Sequence, residues 1–404
     1  MGANSHGVIG QSADIKQRLI DIRRYLHQYP ELSNEEYQTT AFIREQLEQA
    51  GIRIATDFPL QTGLIAEIGE PKDATSPIIA LRADIDALPI QEQTGLSYAS
   101  TIPGKMHACG HDFHTAAILG AAFLLKEREQ ELTGTVRLVF QPAEEKAIGA
   151  AQVLQTGALD RVRAIYGFHN KPELPVGTIG IKAGALMAAA DGFVIELEGI
   201  ASHAAVPEAS IDPIVAASHL VTALQSIVSR NISSLESAVI SVTKIQSGTS
   251  WNVIPEKAVL DGTLRTFDEG IRSKVIGRFT EIVNGVAAAF GTKATLSWIQ
   301  GPPPVNNDAN LARAAGKTAE NLGLVVVEPQ PSPAGEDFAF YQKQIPGFFA
   351  FIGTAGAREW HHPGFDIDER ALPISASFFA ELAVSELERF AVEKEERQGL
   401  MNRT

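Results

Sequence analysis

Five side chains of the kinds that hold metal ions stand at turn-like positions of this chain: Cys109 and His111 in Met-His-Ala-Cys-Gly-His-Asp, Glu145 after Gln-Pro-Ala-Glu, His169, and His362 near the end. Cys109 is the only cysteine among 404 residues, so no disulfide can form within the chain. A cysteine two positions from a histidine reads as a thiolate ligand. The competing reading is a small buried apolar group, the ordinary fate of a free cysteine. Company favours the ligand: His107, His111, His114, His169, His361 and His362 bunch in short polar clusters between apolar runs.

A hydrolytic metal site needs ligands, an open position for water, and a base to take the water's proton. Cys109, His111, Glu145 and His169 supply S, N and O donors, and His362 closes the set from a distant part of the chain. Glu144 is the natural base, because two consecutive glutamates on a turn can point differently, one at the metal and one at its water. The pair also suits the first turn of a helix, where acidic groups favour the macrodipole, and the segment after Lys146 looks helical.

The elements that must position these groups follow from periodicity. Residues 12–50 read as helix, with Ile15, Leu19, Ile22, Leu26 and then Phe42, Ile43, Leu47 at helical spacing, broken at Tyr29-Pro30. Two short apolar runs, Ile78–Leu81 and Val136–Phe140, end in the polar clusters Arg82–Asp86 and Gln141–Glu145. In sheets fed by helical crossovers, functional groups gather beyond the carboxyl ends of such strands. From about 187 the pattern changes: Phe193, Ile195 and Leu197 alternate with Val194, Glu196 and Glu198, as in a strand with one covered face. Asp212 as N-cap and Pro213 at the first helical position start a helix whose stripe is Ala217, Leu220, Val221, Leu224, Ile227 and Val228. Strands near 238–246, 258–266 and 293–299 and a helix near 269–290 complete a β-α-β-β-α-β, ferredoxin-like order. Helix–strand alternation resumes after Gly301-Pro302-Pro303-Pro304.

Composition bounds the function. The length exceeds what one core usually supports, and 45% apolar residues suffice for two. A net charge of −14 with no basic stripe argues against nucleic acid as a partner. Residues 1–10 show neither a basic start nor an apolar core of a leader, and no run of about 18 apolar residues occurs to span a bilayer. A cytoplasmic protein with no membrane partner is expected, and reducing conditions suit a metal-binding thiol. The charged last dozen residues are expected to fray.

The strings MHACGHDFH at 106–114, QPAEE at 141–145, GFHNKPELPVGTIGIKAG at 167–184, SHAAVP at 202–207, GTSWNVIPE at 248–256, GEDFAFY at 335–341 and WHHPGFDID at 360–368 resemble the M20 metallopeptidase superfamily. The branch is that of aminoacylases, hippurate hydrolases and auxin-conjugate hydrolases, and the resemblance, with RRYLHQYPELSNEE, runs from about residue 12 to about 390. It implies an α/β protein: an exopeptidase-like catalytic domain, with a mixed sheet flanked by helices, at 1–186 and 301–404, and an inserted ferredoxin-like lid and dimerisation domain at 187–300. It also implies two divalent ions, manganese, zinc, cobalt or nickel, on Cys109, His111, Glu145, His169 and His362, with Glu144 as base and the thiolate able to bridge them. By the same resemblance His203 stabilises the oxyanion, in many members from the partner subunit. Asn252 and Arg265 hold the substrate carbonyl and carboxylate, although a surface salt bridge is the plain alternative for Arg265.

Two departures stand out. Relatives commonly carry a glycine run after the paired glutamates, whereas Lys146-Ala147-Ile148 precedes Gly149 here, giving a stiffer turn. Asp84 stands where other branches use a histidine ligand, so Asp84 and Asp86 are expected to orient ligands from behind. His107, His114 and His361 are expected in supporting roles, and His6, His27 and His219 in structural ones. The implied reaction is hydrolysis of N-acyl-L-amino acids, with acetyl, benzoyl or related acyl groups, by a homodimer or tetramer. A carboxypeptidase or dipeptidase is the alternative within enzymes, and a metal-dependent binding protein without turnover the alternative outside them. Closure about hinges near 185–190 and 298–304 is a further expectation.

Overall fold

The computed structural model describes residues 13–71, 73 and 75–401, with side chains of the last helix through Glu393. The expectations for residues 1–10, for His6 and for the final residues 402–404 lie outside the described residues. Two compact units emerge: Met1–Gly184 with Asn306–Gln330 and Phe340–Thr404, and Ala185–Val305 with Pro331–Ala339.

The first unit is built on an eight-stranded mixed sheet in the order Arg53–Ile54, Leu64–Ile68, Thr135–Gln141, Ile78–Asp84, Ala164–Lys171, Gly347–Gly353, Thr178–Gly180, Val325–Val327. The four central strands, Thr135–Gln141 to Gly347–Gly353, run parallel. Each of those four is buried along almost its whole length, as expected of parallel strands covered on both faces. Helices Ala13–Gln28, His111–Glu127 and Ala371–Met401 pack against one another and contribute to the same apolar core. Two of the parallel strands end in the polar clusters singled out above and a third carries His169 near its end, so Asp84, Gln141 and His169 come out at the same end of neighbouring strands. The interruption at Tyr29-Pro30 is real: the first helix stops at Gln28, and Tyr37–Gln49 follows a turn segment.

The second unit is a four-stranded antiparallel sheet, ordered Ala238–Ser247, Lys257–Thr266, Ala189–Glu198, Lys293–Ile299, with helices Pro213–Ser226 and Glu269–Ala289 in the same core. Asp212 caps the first helix by accepting from the Ile214 and Val215 N–H groups at 2.8 and 3.4 Å. Phe193, Ile195 and Leu197 are buried, while Val228, at the far end of the stripe, lies in a π-helical turn and is exposed. Pro331–Ala339 joins this unit rather than the flanking one expected for 301–404, because Ser332 bridges Met187 and its carbonyl accepts from Ala188 N at 3.0 Å. Within the strand Ala189–Glu198, Asp191 is buried and ion-paired to Arg272 at 2.7 Å. Among the described residues no helix is long and apolar enough to cross a membrane.

Candidate metal centre

Cys109 and His111 flank the start of the helix His111–Glu127, and Gly110 between them has φ 89°. A Cβ there would stand 2.4 Å from the Asn170 amide nitrogen, so glycine alone allows the close approach. Asn170 donates to the Cys109 carbonyl at 2.6 Å and accepts from the Trp360 indole at 3.1 Å, which binds three segments of chain around the cluster.

Cys109, His111 and His169 present ligand atoms within 4.8 Å of one another, as do His111, Glu144 and Glu145. Each imidazole is aimed by its far nitrogen. His111 Nδ1 donates to the Asp86 carbonyl at 2.9 Å and lies 3.2 Å from its carboxylate, leaving Nε2 toward the cluster. His169 Nδ1 donates to Asn170 O at 2.9 Å, leaving Nε2 at 3.3 Å from Cys109 Sγ. Behind them His114 bonds Asp84 at 2.6 Å, and Asp84 is ion-paired to buried Arg82 at 2.7 Å.

Asp86 is the hub. Its two oxygens accept from Glu144 N and Glu145 N, both at 3.1 Å, and from the Ser33 hydroxyl at 2.7 Å, besides facing His111. The paired glutamates sit in a single 3-10 turn, Glu144–Lys146, between Ala143 (φ 52°) and Ala147 (φ 54°). An L-residue in that left-handed region costs roughly 1–2 kcal/mol, so the turn is held by its surroundings rather than by its own preference. The expected helix begins only at Gly149, where a Cβ would fall 1.6 Å from the Pro142 carbonyl.

His362 is not brought to this cluster. Its Nδ1 accepts from Gly364 N at 2.9 Å and its side chain is exposed. The neighbour His361 is the one that arrives: its N–H donates to Ala108 O at 2.9 Å, its φ is 64°, and its Nε2 lies 3.5 Å from Glu145 Oε1, within reach of Cys109 as well. Spacing cannot choose between adjacent histidines; the handedness of one backbone residue does.

The electrostatics fit a cation. Burial pushes the Cys109 thiol well above its ordinary value, and Glu145, Glu144 and Asp84 push it the same way. Burial opposes a charge on His111, yet Asp84, Asp86 and Glu145 outweigh it and raise the ring to about 10. Among the described residues, His111 Nε2 and Glu145 Oε1 are buried without a hydrogen-bond partner. Carboxylates that keep a proton on both the His111 ring and the Cys109 thiol, beside two buried polar atoms without a hydrogen-bond partner among the described residues, are suited to divalent ions, which displace protons from imidazole and thiol and take the lone pairs so freed.

The remaining candidates lie in the second unit. His203 pairs with Val253 across a two-residue ladder, and its Nδ1 accepts from Ala205 N at 3.1 Å, so Nε2 of the exposed ring carries the proton. Asn252 is beside it, its carbonyl accepting from Ala204 N at 3.0 Å and its side chain from Ser250 at 2.7 Å. Arg265 donates to the Pro333 and Leu264 carbonyls at 3.2 and 3.0 Å and to Thr263, and has no ion pair among the described residues, so the salt-bridge alternative is not what this strand forms. Of the histidines expected in structural roles, His27 is buried between Asp112 and Glu92, and His219 stacks on Phe290 at 4.7 Å. Asn170 lies in GFHNKPELPVGTIGIKAG beside a candidate ligand, and Ser33 and Glu36 lie in RRYLHQYPELSNEE, but residue type alone assigns none of the three a role at the site.

The family model for peptidase family M20/M25/M40 matches residues 80–385. The N-acetylcysteine deacetylase of Bacillus subtilis (strain 168) is 54% identical over 371 residues, 92% of this chain and 97% of the relative. The IAA-amino acid hydrolase ILR1-like 4 of Arabidopsis thaliana is 39% identical, over 90% of this chain and 84% of that protein. The crystal structure of the Bacillus subtilis YXEP protein, described as a dinuclear metal binding peptidase from the M20 family, superposes with a TM-score of 0.85 at 50% identity, covering 93% of this chain and 99% of that one.

Proposed function

Because the chain belongs to peptidase family M20/M25/M40, we propose that it hydrolyses the amide bond of N-acyl-L-amino acids to a carboxylate and a free amino acid, with N-acetylcysteine and its S-modified forms as first substrates. The names of two relatives, a deacetylase of N-acetylcysteine and a hydrolase of an IAA-amino acid, point to that bond class. One observation carries the reading: Cys109, His111, Glu144, Glu145 and His169 converge, and two of their buried polar atoms have no hydrogen-bond partner among the described residues.

Cys109, His111, Glu145, His169 and, in place of His362, His361 would hold two divalent ions. Bound there, such ions polarise a carbonyl and ease the ionisation of water. Glu144 takes the proton from the attacking water and returns it to the leaving amine. Asp86 holds both glutamates by their backbone and fixes the His111 tautomer; Asp84 does the same for His114. His203 donates from Nε2 to the developing oxyanion, Asn252 to the acyl carbonyl, and Arg265 binds the substrate carboxylate through its fork. Thiolate and imidazole donors favour zinc, and the carboxylates admit manganese, cobalt or nickel. The second unit acts as a lid and as the contact of a homodimer: its edge strand Ala238–Ser247 pairs on one side and exposes Val239 and Ile245. A cytoplasmic location keeps the Cys109 thiol reduced.

The test is amino-acid release from acetyl, benzoyl and aminoacyl derivatives of one amino acid, by chelator-stripped protein with and without zinc or manganese. Metal-restored release from the acetyl or benzoyl compounds is expected, with Glu144→Gln lowering turnover at least a hundredfold at unchanged metal content, about the scale of a lost general base. Release from aminoacyl substrates alone would make the protein a dipeptidase; silence throughout would leave a binding protein.

A further inference from the structure

The turn that carries Glu144 and Glu145 does not hold its own shape, since both flanking alanines are left-handed. What clamps it comes from the loop between the first two helices. Glu36 is fully buried, one carboxylate oxygen accepting from the Ala143 N–H at 2.9 Å and the other from the Thr62 hydroxyl at 2.7 Å. Two more bonds stitch the same loop to the far side of the turn: Lys146 Nζ to the Ser33 carbonyl at 3.2 Å and Gln152 to Asn34 at 3.0 Å. Ser33 also bonds Asp86. The Glu36 bond differs from these in falling on the backbone of a left-handed residue, immediately before the two glutamates.

We propose that Glu36 is a positioning residue for the reaction: by accepting from Ala143 N–H it locks Ala143 in its left-handed conformation, which aims Glu145 at the metal ions and Glu144 at the water. The inference rests on the roles given above to those two glutamates. A charge-assisted acceptor on a buried backbone N–H is among the stronger single bonds available to fix a backbone angle. It reaches neither metal nor substrate, so its effect passes entirely through the turn.

Three variants test this. Glu36→Asp keeps the charge but is one methylene too short to hold both partners, and Glu36→Ala removes the acceptor; Glu36→Gln keeps an oxygen for Ala143, and its amide meets a Thr62 hydroxyl free to rotate. Zinc affinity is measured on the full-length, chelator-stripped chain by competition with a chromophoric chelator, and kcat and KM on the reloaded enzyme. E36D and E36A should bind zinc about tenfold or more weakly, the usual effect of losing an orienting partner, with kcat lowered and KM little changed, while E36Q stays close to wild type. If E36A does not fold, E36D carries the test. Wild-type zinc affinity in E36D or E36A, even with a lower melting temperature, would reduce Glu36 to a structural residue; a loss in E36Q as large as in E36A would overturn the acceptor argument. The zinc measurement is independent of turnover, so a wild-type protein that binds zinc yet hydrolyses nothing would sink the proposed function and leave this test intact.

Discussion

Substituting asparagine for Asp86 changes one oxygen into an amide and leaves the volume alone, which makes it the sharpest probe of the site's scaffold. The new NH2 must replace one of two oxygens. In the place of Oδ1 it would face two donors, His111 Nδ1–H and Glu144 N–H, neither able to reverse. In the place of Oδ2 it faces Ser33, whose hydroxyl can rotate to accept, and Glu145 N–H, which cannot. The second orientation wins and leaves one buried N–H unpaired, at about 1–3 kcal/mol. The bonds that remain lose their charge assistance, about 1 kcal/mol each. Asp86→Asn should therefore destabilise the metal-free chain by roughly 3–5 kcal/mol in urea unfolding and weaken zinc binding by about 10–100-fold through Glu145 and His111. Ser33→Ala, which deletes one hydroxyl, should cost only about 1 kcal/mol. A D86N protein within about 0.5 kcal/mol of wild type and unchanged in zinc affinity would refute the assignment of Asp86 as the hub, since so small an effect is that of an ordinary surface change.

His361→Ala should lower zinc binding by about 10–100-fold while His362→Ala leaves it within about twofold, by equilibrium dialysis; the reverse ranking would restore His362 as the ligand. Ala147→Gly removes an unfavourable left-handed alanine, worth roughly 1–2 kcal/mol, against about 0.4–1 kcal/mol of added unfolded-state entropy, so urea unfolding should show a slight gain; a loss beyond about 1 kcal/mol would mean that the alanine methyl packs usefully. Burial opposes a charge on His27, but bonds to Asp112 and Glu92 outweigh it and raise the ring from 6.5 to about 9. Its stabilisation is thus complete below about 6.5 and lost as pH rises through about 9, on the order of 3 kcal/mol at 1.4 kcal/mol per unit. The melting temperature of wild type, but not of His27→Gln, should fall over that window; parallel curves would refute the charged pair.

Much of this was legible in the residues because strong local patterns and tertiary placement agree. The apolar runs 78–81 and 136–140 could only be buried strands, and the polar residues after them had to emerge at their ends, as they do. Asp212-Pro213 began a helix because both residues suit that position in any context. What escaped reading depends on a dihedral angle or on contacts between distant segments. The choice of His361 over His362 rests on one left-handed residue and on a bond to Ala108. Pro331–Ala339 changed units because of a bridge to Met187, 145 positions away from Ser332. The helix expected directly after Lys146 was delayed by Ala147, which no propensity scale would leave in the left-handed region.

The order in which the candidate ligands are synthesised matters as well. Cys109, His111, Glu145 and His169 all precede the second unit, whereas His361 follows it and is tied to Ala108 across some 250 residues of chain. If His361 completes the donor set as proposed, a growing polypeptide can gather only part of that set, and full coordination would wait until the C-terminal loop has docked. On the ligand set proposed above, metal uptake would be a late check on completed synthesis: a chain truncated before residue 361 would have a weaker grip on its ions and would be the first to lose them to competing chelators.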